Sequence, residues 1–530
     1  MSGDIPVFKE KVATPRPRLA SGQVEELTFV VVGSGPVGLV AALDLALKGH
    51  QVTLLTAFDF IPAGSKGICY AKQTLDIFDR LGILDRVIAK GVMWNIGKLF
   101  WGADEKPIYE FDMLPVKNQK NPGFVNIQQY YVEDFLIDAL ERMDNVDLRW
   151  AHRVEGIEKK AATALLSVNA QDGAYRIQAD YVLACDGSKS SIRNALGLDF
   201  DGRIFEDNFL IADIKLEKPH PPERWFWFDP PFCRGGTALL HKQPDDIWRC
   251  DFQLGWDIDR DKAVQEENVE PFIRGMFGPD VEFSYEWTSV YTFQCRRMDR
   301  FVHGPVIFVG DSAHLVSPFG ARGANGGIAD AENIAWKLDL VLLGEAPVSL
   351  IESYNHERVQ GADENILNST RSTDFMTPKN SQSKAFRDAV LELSSDFEFA
   401  RPFINSGRLS TPTPYFTSPL STDDSDDWEG GVQPGHPCVD APLSTAETGG
   451  DWLLEKLGNR FTVVNFGDIA IETSIAQITL PATGIAAERY DALAGATYLV
   501  RPDQVVAARW KSADTVSIER ALRRAQGEVV

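Results

Sequence analysis

The chain has 530 residues, 44% of them hydrophobic and 24% charged, with 53 Lys and Arg against 76 Asp and Glu for a formal net charge of −23. At about 100–200 residues per domain this length exceeds one small domain, and the composition excludes disorder over the whole chain. So acidic a balance also excludes a nucleic-acid binder working through a broad basic surface, since a polyanion would be repelled. Six isolated cysteines without a CxxC favour a reducing compartment over a disulfide framework or a zinc site, so no metal is expected. The first 27 residues lack the apolar stretch of a signal peptide, and no apolar run approaches the ~18 residues of a membrane span. A cytoplasmic protein without a membrane partner is expected.

Residues 1–26, polar and Pro-containing, read as a flexible arm. Leu27 to Val32 is a continuous apolar run, the pattern of a strand buried on both faces. Gly33-Ser-Gly-Pro-Val-Gly38 follows at once. A helix comes next, with Val37, Val40, Ala41, Leu43 and Leu47 on one stripe, and then the strand Val52 to Leu55: a βαβ unit. A second amphipathic helix is predicted from about Tyr131 to Met143. Between 201 and 295 the texture changes to short alternating segments and crowded aromatics, which read as an inserted, mainly antiparallel sheet. The nucleotide-binding pattern of 27–200 resumes over 296–409, with a strand at Pro305 to Val309 and a helix from about Gly326 to Leu343. Residues 410–435, rich in Thr, Pro, Ser and Asp, read as a linker. Residues 436–530 are long enough for a small α/β domain of their own.

Three motifs carry chemistry. In Gly33-x-Gly35-x-x-Gly38, with Pro36 inside it, the first Gly allows a tight turn, the second lets backbone approach a pyrophosphate, and the third lets helix pack on strand. Phosphates then rest on the positive end of the helix. The acidic residue that usually binds the ribose hydroxyls about 20 residues on is missing: Thr56 holds its place, and Asp59 is the nearest carboxylate. Cys185-Asp186-Gly187 follows the strand Tyr181 to Ala184, and Gly310-Asp311 follows the strand ending at Val309. A carboxylate such as Asp311 at a strand end suits charge-assisted bonds from ribose-type hydroxyls. Ser317 to Gly327 then opens a helix through Gly323, Ala324 and Asn325, where backbone N–H groups favour negative charge. Asp311 and Asn325 are equally the residue types of a simple N-cap, and His314 beside the loop is as often structural as catalytic.

In this order the motifs resemble the group A FAD-dependent aromatic hydroxylases, the para-hydroxybenzoate hydroxylase fold. The likeness is greatest to the 3-(3-hydroxyphenyl)propionate hydroxylase-like and phenol hydroxylase-like branch with a C-terminal extension. The resemblance implies an α/β fold: a Rossmann-like FAD-binding domain, an inserted mainly antiparallel substrate-domain sheet, and a C-terminal thioredoxin-like α/β domain, here without CxxC. It implies FAD, with NAD(P)H as co-substrate, and hydroxylation of a phenolic substrate by O2 through a flavin C4a-hydroperoxide. Carried over by residue, Gly33, Gly35 and Gly38 match the pyrophosphate turn, and Lys66 stands where the family usually has an Arg at the FAD phosphates. Gln129 and Asp311 match contacts to the ribityl chain, Asp186 and Gly187 the Asp-Gly motif, and Pro318 a proline where the flavin meets oxygen. Helix-start residues Gly323, Ala324 and Asn325 face negative charge on the reduced flavin.

Alternate residues of one sheet face would roof the flavin, which makes His241, Arg249, Tyr291 and Phe293 substrate candidates, with His241 or Tyr291 assisting deprotonation of a phenol. Trp225-Phe-Trp227-Phe-Asp-Pro230 is superficially similar to the Trp-x-Trp-x-Ile-Pro signature of flavin halogenases but departs at its end, and a strand packed by aromatics is the plain alternative. A flavin reductase or halogenase on the same fold, or a catalytically silent FAD-binding subunit, are the competing readings. Cys438 is alone, so the C-terminal domain suits packing or homodimerisation better than dithiol chemistry.

Overall fold

The computed structural model describes residues 6–529 apart from 21, 65, 66, 113, 115, 219, 405–410, 444–450 and 470, with the side chains of 203–207 also left out. Four strands run parallel in the order Val146–Arg149, Val52–Leu55, Glu25–Val32 and Gly173–Ala184. The last is long. Its first half carries the antiparallel Ala164–Ala170 and then Arg153–Lys159 on its outer edge, and its final residues pair in parallel with Val306–Phe308. Val30 to Val32 and Val182 to Ala184 are buried, as continuous β-branched and apolar runs predict. Helix Pro36–Leu47 lies between helices Gln129–Leu140 and Gly323–Leu342, so it is buried almost all round rather than along one stripe. Leu47, expected in the stripe, is 47% exposed.

The N-terminal arm is fastened down, contrary to its polar reading. Val7–Glu10 pairs antiparallel with Phe60–Pro62, Lys11 N–H donates to Asp59 O at 2.8 Å, and Thr14 N–H donates to Trp150 O at 3.0 Å. Backbone pairing needs no apolar periodicity, which is why composition alone misleads there.

The mainly antiparallel sheet has eight strands in the order His314–Leu315, Phe283–Arg297, Asp201–Leu216, Ile247–Gly255, Thr237–Lys242, Arg224–Phe228, Ile96–Trp101 and Tyr109–Asp112, with Arg224–Phe228 and Ile96–Trp101 paired in parallel. Its boundaries therefore differ from 201–295, because the last two strands come from inside the first nucleotide-binding segment. Their apolar side chains complete the sheet: Leu99 and Phe111 join Phe226 and Leu239 on one face. The opposite face, with Trp227, Leu240, Cys250 and Phe252, packs on helix Glu266–Phe277.

At the C-terminus a mixed sheet runs Ala476–Leu480, Thr462–Phe466, Ala496–Val500, Val506–Trp510, with the first pair parallel and the others antiparallel. Helices Gly484–Arg489 and Thr515–Ala525 accompany it. The stretch read as a linker is an ordered strap over its described part: Tyr415 and Leu420 are buried, and Thr422 N–H donates to Ala507 O at 2.8 Å. Beneath it runs helix Ser349–Met376, which the sequence pattern does not announce.

The strap and both units meet at a buried charge cluster. Arg501 donates to both oxygens of Glu357 at 2.6 and 3.0 Å and through Nε to Asp503 at 2.9 Å, and Lys337 Nζ donates to Glu357 at 2.7 Å. Ser418 Oγ adds a bond to Glu357 at 2.6 Å, and Trp336 Nε1 one to Asp503 at 3.1 Å. Burial alone would raise the Glu357 carboxyl, but Arg501 and Lys337 outweigh it and hold the group well below the usual range. Burial lowers Lys337 to about 8. Two cations and two carboxylates thus cancel in a dry interior, where removing one partner leaves an uncompensated charge. Arg501→Ala is expected to destabilise the protein by about 3–5 kcal/mol, seen as a lowered midpoint in thermal or urea denaturation.

Candidate functional site

The three sequence motifs stand side by side because three neighbouring parallel strands end together. Glu25–Val32 runs into Gly33, Gly173–Ala184 into Asp186-Gly187, and Val306–Phe308 into Gly310-Asp311. In open α/β sheets ligands bind outside the carboxyl ends of strands, as here. The turn is tight: a Cβ on Gly33 would lie 2.3 Å from Cys185 O, and one on Gly38 would lie 2.0 Å from Gly33 O. Gly35, by contrast, has no heavy atom within 4 Å of a built Cβ. It caps a helix that has Pro36 in its first turn and no side-chain cap, so the first-turn N–H groups face open space. That is the cradle of a phosphate pair.

The other motif residues divide between protein and open site. Asp186 Oδ2 accepts from Ile192 N–H at 3.1 Å in the first turn of helix Ser191–Ala195, whose N-cap is Ser190, but its Oδ1 is buried without a partner. Asp311 is exposed on the turn Gly310–Ser312, and its charge reaches Tyr291. Arg193 donates to Ser312 O at 2.9 Å and Ser188 O at 2.8 Å, and so cross-links two motifs. Thr56, where an acid is usual, is buried and accepts from Ser34 Oγ of the glycine turn at 2.7 Å. Lys66 lies outside the described residues. Gln129 begins its helix and accepts from Gly67 N–H at 3.1 Å, and Ala324 Cβ lies 3.3 Å from a Cβ built on Gly67, so Gln129 and Ala324 converge on one loop. Gly323 opens a 20-residue helix without a side-chain cap. The Asn325 side chain is spent on protein: it accepts from Ala71 N–H and Thr74 Oγ1 and donates to Cys69 O and Ala321 O. His314 is buried with Nε2 2.6 Å from Asp330, a structural role. An orphaned buried oxygen, an open glycine turn and two uncapped helix starts fit a dinucleotide cofactor.

The strand register places every predicted sheet residue on one face. Phe209 opposes Tyr291, Asp213 opposes Arg249, and Arg249 opposes His241, while Phe293 is two residues from Tyr291. This face meets the motif loops through Phe319, next to Pro318, whose ring centroid lies 5.1 Å from those of both Phe209 and Phe293. Pro318 itself is exposed. Trp225 and Trp227 point to the opposite face, against Phe100, so the aromatic run packs the outer core there.

Charge on the inner face is specific. Arg249 makes a two-point contact with Asp213, 2.8 Å from Nε and 2.8 Å from Nη2. His241 is buried, with Nδ1 3.9 Å from Cys69 Sγ and Nε2 3.7 Å from Asp251. Burial, then Arg224 and Arg249, push its pKa well below the ordinary value, so the ring is neutral and resists taking a proton. Burial pushes Tyr291 up to about 12, with Asp311 adding to it, so its hydroxyl is a donor at neutral pH. Asp251 is raised to about 7, chiefly by burial. Sequence reasoning missed Asp251, Arg224 and Phe319; the first lies two residues along its strand from Arg249, which was the available signal.

The fold and the ring of motifs define a dinucleotide-binding α/β unit roofed by an antiparallel sheet. The chain belongs to the FAD-binding domain family, whose model matches residues 26–369. It is 30% identical over 378 residues to a 3-(3-hydroxy-phenyl)propionate/3-hydroxycinnamic acid hydroxylase of Mycolicibacterium gilvum, a match covering 70% of this chain and 64% of that protein. A flavin-dependent monooxygenase of Mycobacteroides abscessus is 26% identical over 521 residues, 92% of this chain and 98% of that one. The crystal structure of the flavin-dependent monooxygenase PieE in complex with FAD and substrate shares the fold, with TM-score 0.76 at 21% identity over 95% of this chain and 99% of that chain.

Two outcomes follow from the site. Gly38→Ala should abolish retention of FAD through the collision with Gly33 O, measured as flavin per protein after gel filtration. Burial raises Glu133, which accepts from Gln129 Nε2 at 2.8 Å, to about 8. The folded state therefore keeps a proton that the unfolded chain releases near pH 4.5, and stability falls as pH rises from there to about 8. Glu133→Gln should flatten that slope and raise the melting temperature at pH 8 while leaving it little changed at pH 5.

Proposed function

We propose that the protein is an NAD(P)H-dependent FAD monooxygenase that uses O2 to hydroxylate a phenolic aromatic substrate. The observation that carries this reading is the aromatic inner face of Phe209, Tyr291, Phe293 and Phe319 set against the loop of Asp311 and Pro318. When bound, FAD accepts hydride from the nicotinamide and activates oxygen. The chain's own part is binding, orientation and exclusion of water. The Gly33–Gly38 turn and its helix would hold the pyrophosphate, Asp311 and Gln129 the ribityl chain, Asp186 with Gly187 a further cofactor hydroxyl, and the start of helix Gly323–Leu342 the ring system. Phe209, Phe293 and Phe319 exclude water and stack the substrate ring, and Tyr291 donates a hydrogen bond. Among the proton acceptors on this face, Asp251 is better suited than His241, because its ordinary ionisation has been moved to about neutral pH. The C-terminal domain serves as a thioredoxin-like docking element of the same subunit. No helix among the described residues is long and apolar enough to cross a membrane, and a cytoplasmic site belongs to this proposal.

Purified protein should be yellow or take up added FAD, and a phenol panel should contain compounds that stimulate NAD(P)H oxidation with a product heavier by one oxygen atom. A preparation that binds no FAD defeats the reading, and NAD(P)H turnover that no phenol stimulates favours a silent flavoprotein or a reductase. Asp311→Ala should weaken FAD binding by about 10- to 100-fold, the worth of a hydrogen bond to a charged group, measured by quenching of flavin fluorescence.

A further inference from the structure

Arg224 begins the strand Arg224–Phe228 and is only 3% exposed, on the inner face, in a register that sets it opposite His241. Its Nε and Nη1 are buried and have no hydrogen-bond partner. Among the described residues it forms no ion pair, and the ionisable groups that bear on it are Cys69 and Asp251. The rings of Trp94 and Phe226 flank the guanidinium at 5.6 and 4.9 Å from their centroids. Contact with a ring face offsets part of the cost of burying a cation but leaves the N–H donors unmade, and an unpaired buried charge is among the most expensive features a fold can carry. Arg249, one strand further on, shows what a satisfied arginine looks like on this face, closed by Asp213 at 2.8 Å from both Nε and Nη2. Phe226, two residues along from Arg224, belongs to the same apolar cluster as Phe293 and Phe319. The unpaired guanidinium therefore borders the apolar cluster that carries Phe293 and Phe319.

We propose that Arg224 is the anion subsite of the substrate face, its free N–H donors receiving an oxyanion borne by the aromatic substrate, whether a carboxylate on the ring or the ring's own phenolate. The inference rests on the hydroxylase reading above and narrows its substrate class. It also reassigns the role expected of Arg249, whose donors are committed to Asp213.

The test is calorimetric titration of the FAD-loaded full chain with paired ligands that differ chiefly in charge. One arm compares benzoate with benzamide; the other compares 4-cyanophenol, at a pH where it is ionised, with 4-cyanoanisole. The oxyanion of at least one pair should bind at least ~30-fold more tightly than its neutral partner, in line with a buried charge pair. Arg224→Gln should erase that preference and Arg224→Lys should keep part of it, both with FAD content unchanged. The arm that responds identifies the oxyanion as carboxylate or phenolate. Equal affinities within both pairs, or a preference that survives in Arg224→Gln, overturn the proposal. Should Arg224→Gln fail to fold, the wild-type pairs decide alone. Absence of any preference in the wild-type protein, with normal FAD loading and phenol-stimulated NAD(P)H oxidation, counts against this inference only, whereas absence of FAD binding counts against the hydroxylase reading itself.

Discussion

Val37 is wedged between two glycines from the other end of the nucleotide-binding unit, and the cofactor end of the molecule depends on that contact. A Cβ on Gly327 would lie 2.6 Å from Val37 Cγ2, and one on Gly310 would lie 3.1 Å from either Val37 methyl. Helices Pro36–Leu47 and Gly323–Leu342 can therefore approach closely enough for both uncapped N-termini to open on one space. Packing at this density transmits any added methylene to the backbone. The glycines of the first motif and of the last are thus parts of one joint, although nearly 300 residues separate them.

The same joint is tied to the C-terminus by hydrogen bonds. Asp330, fully buried, accepts from Gly310 N–H at 3.0 Å, from His314 Nε2 at 2.6 Å and from Arg358 Nε at 2.5 Å. Burial raises its carboxyl, but His314 and Arg358 outweigh that and keep it ionised. Arg358 continues to Tyr415 OH at 2.7 Å in the strap, and Tyr415 lies under Arg501 of the C-terminal unit. A path of charge-assisted bonds therefore runs from the Gly310-Asp311 turn to the last sheet. This is a reason to treat the C-terminal unit as part of the cofactor domain's framework, whatever else it does.

How much of this was legible follows from what each element buries. The Glu25–Val32 strand and its glycine turn are written in apolar runs and glycine spacing, so fold class and pyrophosphate turn were readable. The alternating pattern of the antiparallel sheet placed His241, Arg249, Tyr291 and Phe293 on one face. Helix Ser349–Met376 was not readable, because its buried face interrupts the apolar residues with Glu357, Arg358, Asn365 and Asn368. The strap over 411–435 misled for the same reason: its Ser and Thr residues bond to partners more than 50 residues away. The 96–112 strands were hidden by being short and by pairing with a segment over 100 residues away.

Arg224 and Arg249 show where sequence reasoning stops. Each begins or sits in a β-strand among aromatics, and nothing in its neighbours distinguishes it. The difference lies in Asp213, on another strand, which bonds to one arginine and leaves the other without a hydrogen-bonded carboxylate. A net charge of −23 would suggest that an anionic substrate is unwelcome, but exposed charges beyond a Debye length of about 8 Å are screened by salt. A desolvated guanidinium among aromatic side chains is not screened in that way, and its field is focused by the low-dielectric surroundings. The global charge and the local site therefore act on different length scales, and the second governs what the inner face of the sheet can bind.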